Sequence, residues 1–293
     1  MQSVYQVLQI VAPVFALGLV GIVWVRAGWQ YDVEFVTRLS MTISIPCLIF
    51  MALLRSEVDL SVLRDTTFAA LGAYALVAVI SLAAVRISGL AVQTYLAPLI
   101  FGNTGNIGLP LALFAFGDTG LSLAVVVFAT MAILAFTFGV WLASGGGSPL
   151  RVLGEPMVGA TILGGVFMLN GWSIPQWTAN TLDLVGQIAI PLMLITLGVA
   201  VARLRVSAAG RALGLAVFKL AVCLGSAVIA GRWFGLAPVA FGVLVLQVSM
   251  PVAVTSFMLA EKYDAGSEEV AGLVVISTLL SLVAIPVTLA FLI

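Results

Sequence analysis

The residues with the most chemical potential in this chain lie in residues 101–110, which read FGNTGNIGLP inside an otherwise apolar run. Glycine weakens a helix, and proline removes a backbone donor and obstructs the preceding turn, so this stretch predicts a broken helix. We expect the second half of the helix to start near Pro110, because proline is favoured in a first turn. The amides and the positive dipole end of such a half-helix attract an anion.

A second, weaker break is predicted at residues 247–251, which read QVSMP. If the two broken helices cross, neutral amides and hydroxyls next to two positive helix ends suit a carboxylate better than a cation. The alternatives are a glycine-rich packing face with a kink, and hydroxyls that bond back to their own helix. We assign substrate binding to nine residues: Asn103, Thr104, Gly105, Asn106, Pro110, Gln247, Ser249, Pro251 and Thr255.

Lys219 is the ionisable residue that lies deepest in an apolar run. A charge in the membrane is costly and by default indicates function, although a lysine can also snorkel to an interface. A lysine ammonium can also stand where a membrane protein would otherwise hold a sodium ion. We assign Pro46, Pro191 and Gln187 to the same scaffold or coupling role, the prolines as kinks and Gln187 as a hydrogen-bonding residue.

The twelve carboxylates all fall at predicted helix ends or in loops. A mechanism built on buried acids, either a sodium site or a proton relay, is therefore disfavoured. The chain has no histidine, which excludes a histidine-based metal site and a Ser-His-Asp triad. An intramembrane enzyme would need a nucleophile with a base or a pair of acids, so we expect no catalysis, no cofactor and no metal.

The surrounding sequence is that of an all-α membrane protein. Of its 293 residues 62% are hydrophobic and 8% are charged, against about 25% charged in soluble domains. A spanning helix needs about 20 apolar residues. We interpret the first run as a span, because a cleaved signal peptide would have a basic start. Ten spans are predicted, at residues 4–25, 37–54, 66–85, 94–116, 121–142, 156–169, 182–201, 212–229, 238–260 and 270–293.

Lysine and arginine predict the orientation. Eight lie in loops after odd-numbered spans and three after even-numbered spans. Positive charge marks the cytoplasmic side, so we expect a multi-pass protein of the cytoplasmic (inner) membrane with both termini on the other side. With a net charge of zero there is no basic field for nucleic acid. The expected partners are a small organic anion and the lipid bilayer, and a homodimer is left open.

The two halves of the chain resemble each other. Residues 43–46 read ISIP and residues 188–191 read IAIP, and their prolines are 145 residues apart, while Pro110 and Pro251 are 141 apart. A flexible Gly/Ser linker at 143–149, which could equally be a trimmed or engineered loop, separates a first repeat (1–142) from a second (150–293). Five spans in each half make the repeats inverted, as in many secondary transporters.

The sequence resembles the auxin efflux carrier family, whose bacterial branch includes malonate and malate permeases. The resemblance is carried by GNTGNIGLP at residues 102–110, FGD at 116–118, the run from Met250-Pro251 to LAEKY at 259–263, and STLLS at 277–281. It implies two inverted five-helix repeats with crossing broken spans four and nine, shared with bile-acid symporters and sodium/proton antiporters. It further implies elevator-like transport of organic anions, with site residues Asn103, Asn106, Pro110 and Pro251.

The sequence departs from the family pattern in two ways, of which the second concerns coupling. The long cytosolic loop of plant carriers is reduced here to the Gly/Ser linker, and no acid occupies the mid-membrane scaffold where plant carriers have one. The first hypothesis is a secondary carrier for a small carboxylate. The alternatives are a sodium-coupled symporter of the bile-acid type and a membrane sensor that binds without transporting.

Overall fold

The computed structural model describes residues 2–139, 141–142, 156–204 and 209–293. Within these ranges all regular structure is helical, apart from one isolated backbone pair. The α-helices are α1 (Gln2–Arg26), α2 (Val33–Leu39), α3 (Ile45–Leu54), α4 (Leu60–Ile87), α5 (Val92–Ile100), α6 (Leu109–Leu134), α7 (Pro156–Asn170), α8 (Gln176–Gln187), α9 (Ala189–Arg203), α10 (Ala209–Trp233), α11 (Pro238–Val248), α12 (Val254–Lys262) and α13 (Ser267–Leu292). Three π-helical turns join them at Ser40–Ser44, Thr104–Gly108 and Ala135–Gly139.

Seven helical segments of the described residues are long and apolar enough to cross a membrane. Two shorter apolar helices, α7 and α11, accompany them. The prediction of an all-helical, multi-pass membrane protein is therefore confirmed. The seven segments are Tyr5–Arg26, Val33–Leu54, Leu60–Ile87, Thr104–Gly139, Gln176–Arg203, Ala209–Trp233 and Ser267–Leu292.

Two of the ten predicted spans are not single helices. The stretch predicted at 94–116 is divided between α5 and the helix that begins at Thr104, and the stretch at 238–260 is divided between α11 and α12. The segment Thr104–Gly139, with 36 residues, is longer than one crossing requires. It bends at Gly117, whose φ of 65° and ψ of −158° lie outside the helical region. The exposed Asp118 follows this bend.

The predicted linker at 143–149 lies outside the described residues, as do Arg151 and Arg205, two of the positive charges used for orientation. The proposed division of the chain at this linker therefore stays a prediction.

The surface of the helices is apolar where lipid is expected. Val79, Val217 and Val283 are exposed although they lie in the interior of long apolar helices. Trp177 and Trp233, near helix ends, are 72% and 85% exposed, as is typical of residues at a membrane–water interface. The packed interior lies mainly between α3, α4, α6, α10 and α11.

Helix pairs from the two halves of the chain pack on each other. α1 packs against α9, α3 against α7, and α4 against α10. The first pair approaches so closely that a Cβ atom at Gly198 would lie 1.9 Å from the carbonyl oxygen of Gly18. Small residues at this contact let the two backbones meet, as is common between membrane helices.

Candidate functional site at two interrupted helices

The first interruption lies between α5 and the π-helical turn Thr104–Gly108. The α-helix of the second half, α6, begins at Leu109 with Pro110 in its first turn, which agrees with the predicted start near Pro110, and the π-helical turn Thr104–Gly108 precedes it. Asn103 explains where this turn begins. Its side-chain oxygen accepts from the Asn106 amide at 3.3 Å, and its carbonyl accepts from the Ile107 amide at 3.2 Å. Asn103 is thus an N-cap, and Pro110 is buried in the first turn of α6.

The second interruption lies between α11 and α12, where Ser249–Ala253 are not helical. The two interruptions meet backbone to backbone. Gly102 and Val252 form an antiparallel bridge, and the Asn103 amide donates to the Pro251 carbonyl at 2.7 Å. This contact satisfies backbone groups that an apolar surrounding would otherwise leave unpaired.

A cavity of about 340 Å³ borders both interruptions. It extends from the buried Asn103 to the exposed side chains of Gln93 and Lys262. Most of its wall is apolar, with methionines from four separate segments and two phenylalanines. These apolar residues are Met41, Met131, Met157, Met258, Phe101 and Phe128. A mostly apolar cavity of this size with a few polar groups is typical of a small-molecule site.

The structure brings four of the nine predicted binding residues into this cavity. They are Asn103, Gly105, Asn106 and Thr255, joined by Ser256. The other five lie behind the cavity wall. Thr104 and Pro110 are buried in the half-helix that follows the first interruption, and Gln247 is fully buried at the end of α11. Ser249 and Pro251 line a second cavity of about 20 Å³ together with Lys219. Whether any of the nine binds substrate stays a prediction.

Several buried polar atoms at the interruptions have no hydrogen-bond partner within the described part of the chain. They include Asn103 Nδ2, Thr104 Oγ1 and both amide atoms of Gln247. Unpaired buried polar groups are rare in folded proteins and call for an explanation. Asn103 Nδ2 is a donor on a residue that lines the large cavity, so a bound acceptor there would satisfy it.

Both half-helix N-termini face the large cavity. Gly105 and Asn106 belong to the first turn after the first interruption, and Val254 and Thr255 to the first turn of α12. No side chain of the described residues caps the start of α12, and the Ser256 amide donates to the Ala253 carbonyl at 3.0 Å, so the amides of Val254 and Thr255 are those that a ligand could bind. Two positive helix ends at one cavity attract negative charge.

Lys219 is only 2% exposed, so it does not snorkel to an interface. Its Nζ atom donates to the Leu99 carbonyl at 3.0 Å, and the sulfur of Cys223 lies 3.9 Å away. The residue therefore reaches the carboxyl-terminal end of α5, where the first helix is interrupted.

The remaining scaffold residues line neither cavity, although Ile45, the neighbour of Pro46, lines the large one. Pro46 is in the first turn of α3, directly after the π-helical turn Ser40–Ser44. Pro191 is exposed near the start of α9, and Gln187 is exposed at the end of α8. Both prolines follow a local departure from α-helical geometry, whereas a coupling role for Gln187 stays a prediction.

Lys262 is a cavity residue that sequence reasoning missed, because the Glu261-Lys262 pair is typical of a solvated helix end. Its side chain is indeed exposed, and its Nζ atom lies 5.5 Å from the Tyr263 ring centroid. Only the tertiary structure shows that the end of α12 lies next to Gln93 and Thr94 at the start of α5, where the cavity is lined by all three.

Comparison with known proteins gives one family. The model of a family described as Membrane transport protein matches residues 140–289, just over half of the chain. A protein named as an uncharacterized transporter of Methanothermobacter thermautotrophicus is 28% identical over 97% of this chain and 96% of its own length. Uncharacterized transporter MJ1031 of Methanocaldococcus jannaschii is 26% identical over 64% of each chain.

Proposed function

We propose that this chain, which belongs to the Membrane transport protein family, is a secondary active carrier of a small organic carboxylate across the cytoplasmic membrane. Membership confirms the resemblance to auxin efflux carriers that the motifs indicated, and it identifies a family of transporters rather than enzymes. The observation that carries the proposal is the cavity that borders both half-helix N-termini and the unpaired Asn103 amide group.

The chemistry of the cavity favours a carboxylate attached to an apolar body. Polar groups concentrate at the interruptions, where Asn103, Asn106, Thr255 and Ser256 offer neutral hydrogen-bonding groups. The methionines and phenylalanines of the remaining wall suit apolar carbon atoms. Lys262, at the exposed end, adds a positive charge that attracts an anion from solution.

We further propose that the chain has ten spans arranged as two inverted five-helix repeats. In this arrangement α5 with the helix up to Gly117 is the fourth span, and α11 with α12 is the ninth. The packing of helices supports the proposal. In the two repeats α1 corresponds to α7, α3 to α9, and α4 to α10. The contact of α1 with α9 therefore has its equivalent in the contact of α7 with α3, and the contact of α4 with α10 is its own equivalent.

The two interrupted helices would carry the substrate by an elevator-type movement. The Asn103–Pro251 hydrogen bond and the Gly102–Val252 bridge join their backbones, which favours movement as one body. Gln93 and Lys262, at the exposed end of the cavity, fall in regions where the charge pattern predicts cytoplasm. The described conformation would then be open to the cytoplasm, with both termini on the opposite side.

A thermal-shift screen of the purified protein against mono- and dicarboxylates, followed by flux of the hits into proteoliposomes, tests the proposal. Asn103→Ala should abolish flux while expression stays normal, because it removes both the cavity donor and the cap of the half-helix. Asn170→Ala, an exposed asparagine at the end of α7, is the matched control. Unchanged flux in Asn103→Ala would contradict the assigned site, and binding without any flux would indicate a sensor.

A further inference from the structure

The interruption after α5 leaves the last backbone carbonyls of this helix, among them that of Leu99, without their helical partners. In a continuous α-helix the Asn103 amide would donate to the carbonyl of Leu99, four residues earlier. Here that amide donates to Pro251 in the other interrupted helix. Leu99 is fully buried, and a buried carbonyl without a partner is costly in an apolar surrounding.

Lys219 supplies the missing partner from α10. Its Nζ atom donates to the Leu99 carbonyl at 3.0 Å. The last carbonyls of a helix form the negative end of its dipole, so an ammonium group there is favourable both as a donor and as a charge. This lysine therefore caps the first half of an interrupted helix.

The same side chain also faces the second interrupted helix. The cavity of about 20 Å³ is lined by Lys219, by Ser249 and Pro251 of the second interruption, and by Ser277 and Ser281 of α13. Its volume and its hydroxyl groups suit a single water molecule, which an ammonium with three donors can also bind. The lysine side chain thus binds the broken end of the first helix and lines a cavity at the broken end of the second.

No carboxylate lines this small cavity. The ammonium donates to the Leu99 carbonyl oxygen, the weakly accepting Cys223 sulfur lies 3.9 Å away, and the lining of the small cavity includes three serines. Oxygen atoms of this kind, arranged around a positive charge, form the surroundings that a protein commonly offers to a small metal cation.

We propose that Lys219 is the resident cation of the site, which holds the two interrupted helices together in place of an exchangeable metal ion. Its Nζ atom binds the carboxyl-terminal end of α5 at Leu99, and the small cavity places its charge next to the interruption of the second helix. Transport should then need neither sodium nor potassium. This last consequence depends on the proposed function, whereas the effect of Lys219 on stability does not.

Thermal unfolding of purified variants in detergent tests the structural part. Lys219→Met keeps much of the side-chain volume but removes the charge, and Arg232→Met removes a charge from the exposed end of the same helix. We expect Lys219→Met to unfold several degrees below Arg232→Met. Equal unfolding temperatures would overturn the proposal.

Chemical rescue of Lys219→Ala separates the contribution of the Lys219 charge from that of the volume of its side chain. Lys219→Ala lacks three methylene groups and the amine, which together correspond to propylammonium. Added propylammonium should raise the unfolding temperature of this variant, whereas the neutral 1-propanol should not. Equal rescue by both would overturn the role of the charge. If Lys219→Ala does not fold, the comparison of Lys219→Met with Arg232→Met decides alone.

Flux measurements in proteoliposomes test the consequence for coupling. Wild-type flux should be the same in sodium, potassium and choline salts, and Lys219→Met should lose roughly tenfold or more, as for the loss of a charged hydrogen bond. A wild-type requirement for sodium would contradict the proposal. Absence of flux for every carboxylate would refute the proposed function, and the unfolding temperatures would still decide the role of Lys219.

Discussion

At Gly108 one added methyl group should disturb the candidate site, because it would clash with Gln247 on the side of the half-helix away from the large cavity. It is fully enclosed at the end of the π-helical turn that carries Asn103 and Asn106. A Cβ atom there would lie 2.2 Å from Oε1 and 2.9 Å from Cδ of Gln247. Because Gln247 is fully buried, its amide has little room to give way.

The expected cost follows from two opposing terms. Overpacking of a buried site costs about 1–3 kcal/mol of unfolding free energy. Alanine in place of glycine in a helix recovers about 0.5–1 kcal/mol, and Gly108 has helical φ and ψ angles of −67° and −47° that alanine readily adopts. We therefore expect Gly108→Ala to lose about 1–2 kcal/mol. In a Gln247→Ala background the clash disappears, so the same change should be neutral or stabilising.

The measurement is the unfolding free energy of the four proteins of this double-mutant cycle, purified in one detergent. The coupling between the two substitutions should equal the clash, about 1–3 kcal/mol. Gly225→Ala is the control, since a Cβ atom on that exposed glycine of α10 would meet nothing within 4 Å. The reasoning is refuted if Gly108→Ala is as stable as the wild type, or if Gln247→Ala fails to suppress its effect.

Two further predictions concern other hydrogen bonds. Ser277→Ala should cost about 1–3 kcal/mol in thermal unfolding, because the buried Val252 amide donates to this hydroxyl at 3.0 Å. Ser281→Ala should be nearly neutral, since that hydroxyl donates only within its own helix, and equal losses would contradict the assignment. In the loop after α1, burial raises the pKa of Tyr31, against the opposing effect of its hydrogen bond to Thr196. Because the pKa is higher in the folded state, the free energy of unfolding falls as the pH rises above about 10, where the unfolded tyrosine ionises first. Tyr31→Phe should therefore lose less unfolding free energy than the wild type between neutral and alkaline pH.

The sequence was informative where the cause of a structure is local. Glycine, asparagine and proline at 101–110 predicted an interruption, and α5 does end at Ile100. α6 restarts at Leu109 with Pro110 in its first turn, as the preference of proline predicts, but the preceding π-helical turn capped by Asn103 was not predicted. Both residues favour a helix start, and each of them marks one.

Tertiary neighbours could not be read from the sequence. Lys219 was recognisable as a charged residue inside an apolar run, but its acceptor, the Leu99 carbonyl, is 120 residues away in the chain. That carbonyl is free of its helical partner because the Asn103 amide donates to Pro251 instead. Lys262 joined the cavity because the end of α12 meets the start of α5, a contact that no local pattern encodes. The fit of Gln247 against Gly108 is likewise visible only once the two helices are packed.

Asn103 links the features that the proposed carrier requires. Its side chain caps the half-helix and presents an unpaired amide group on a cavity residue, while its backbone amide binds Pro251 across the crossing. Since one amide hydrogen serves one strong acceptor, this bond is what leaves the Leu99 carbonyl to Lys219. A carboxylate that accepts a hydrogen bond from the Asn103 side chain would therefore bind the same residue whose backbone amide joins the two helices and leaves the Leu99 carbonyl to Lys219. Substrate binding and the integrity of the crossing are thus expected to depend on each other.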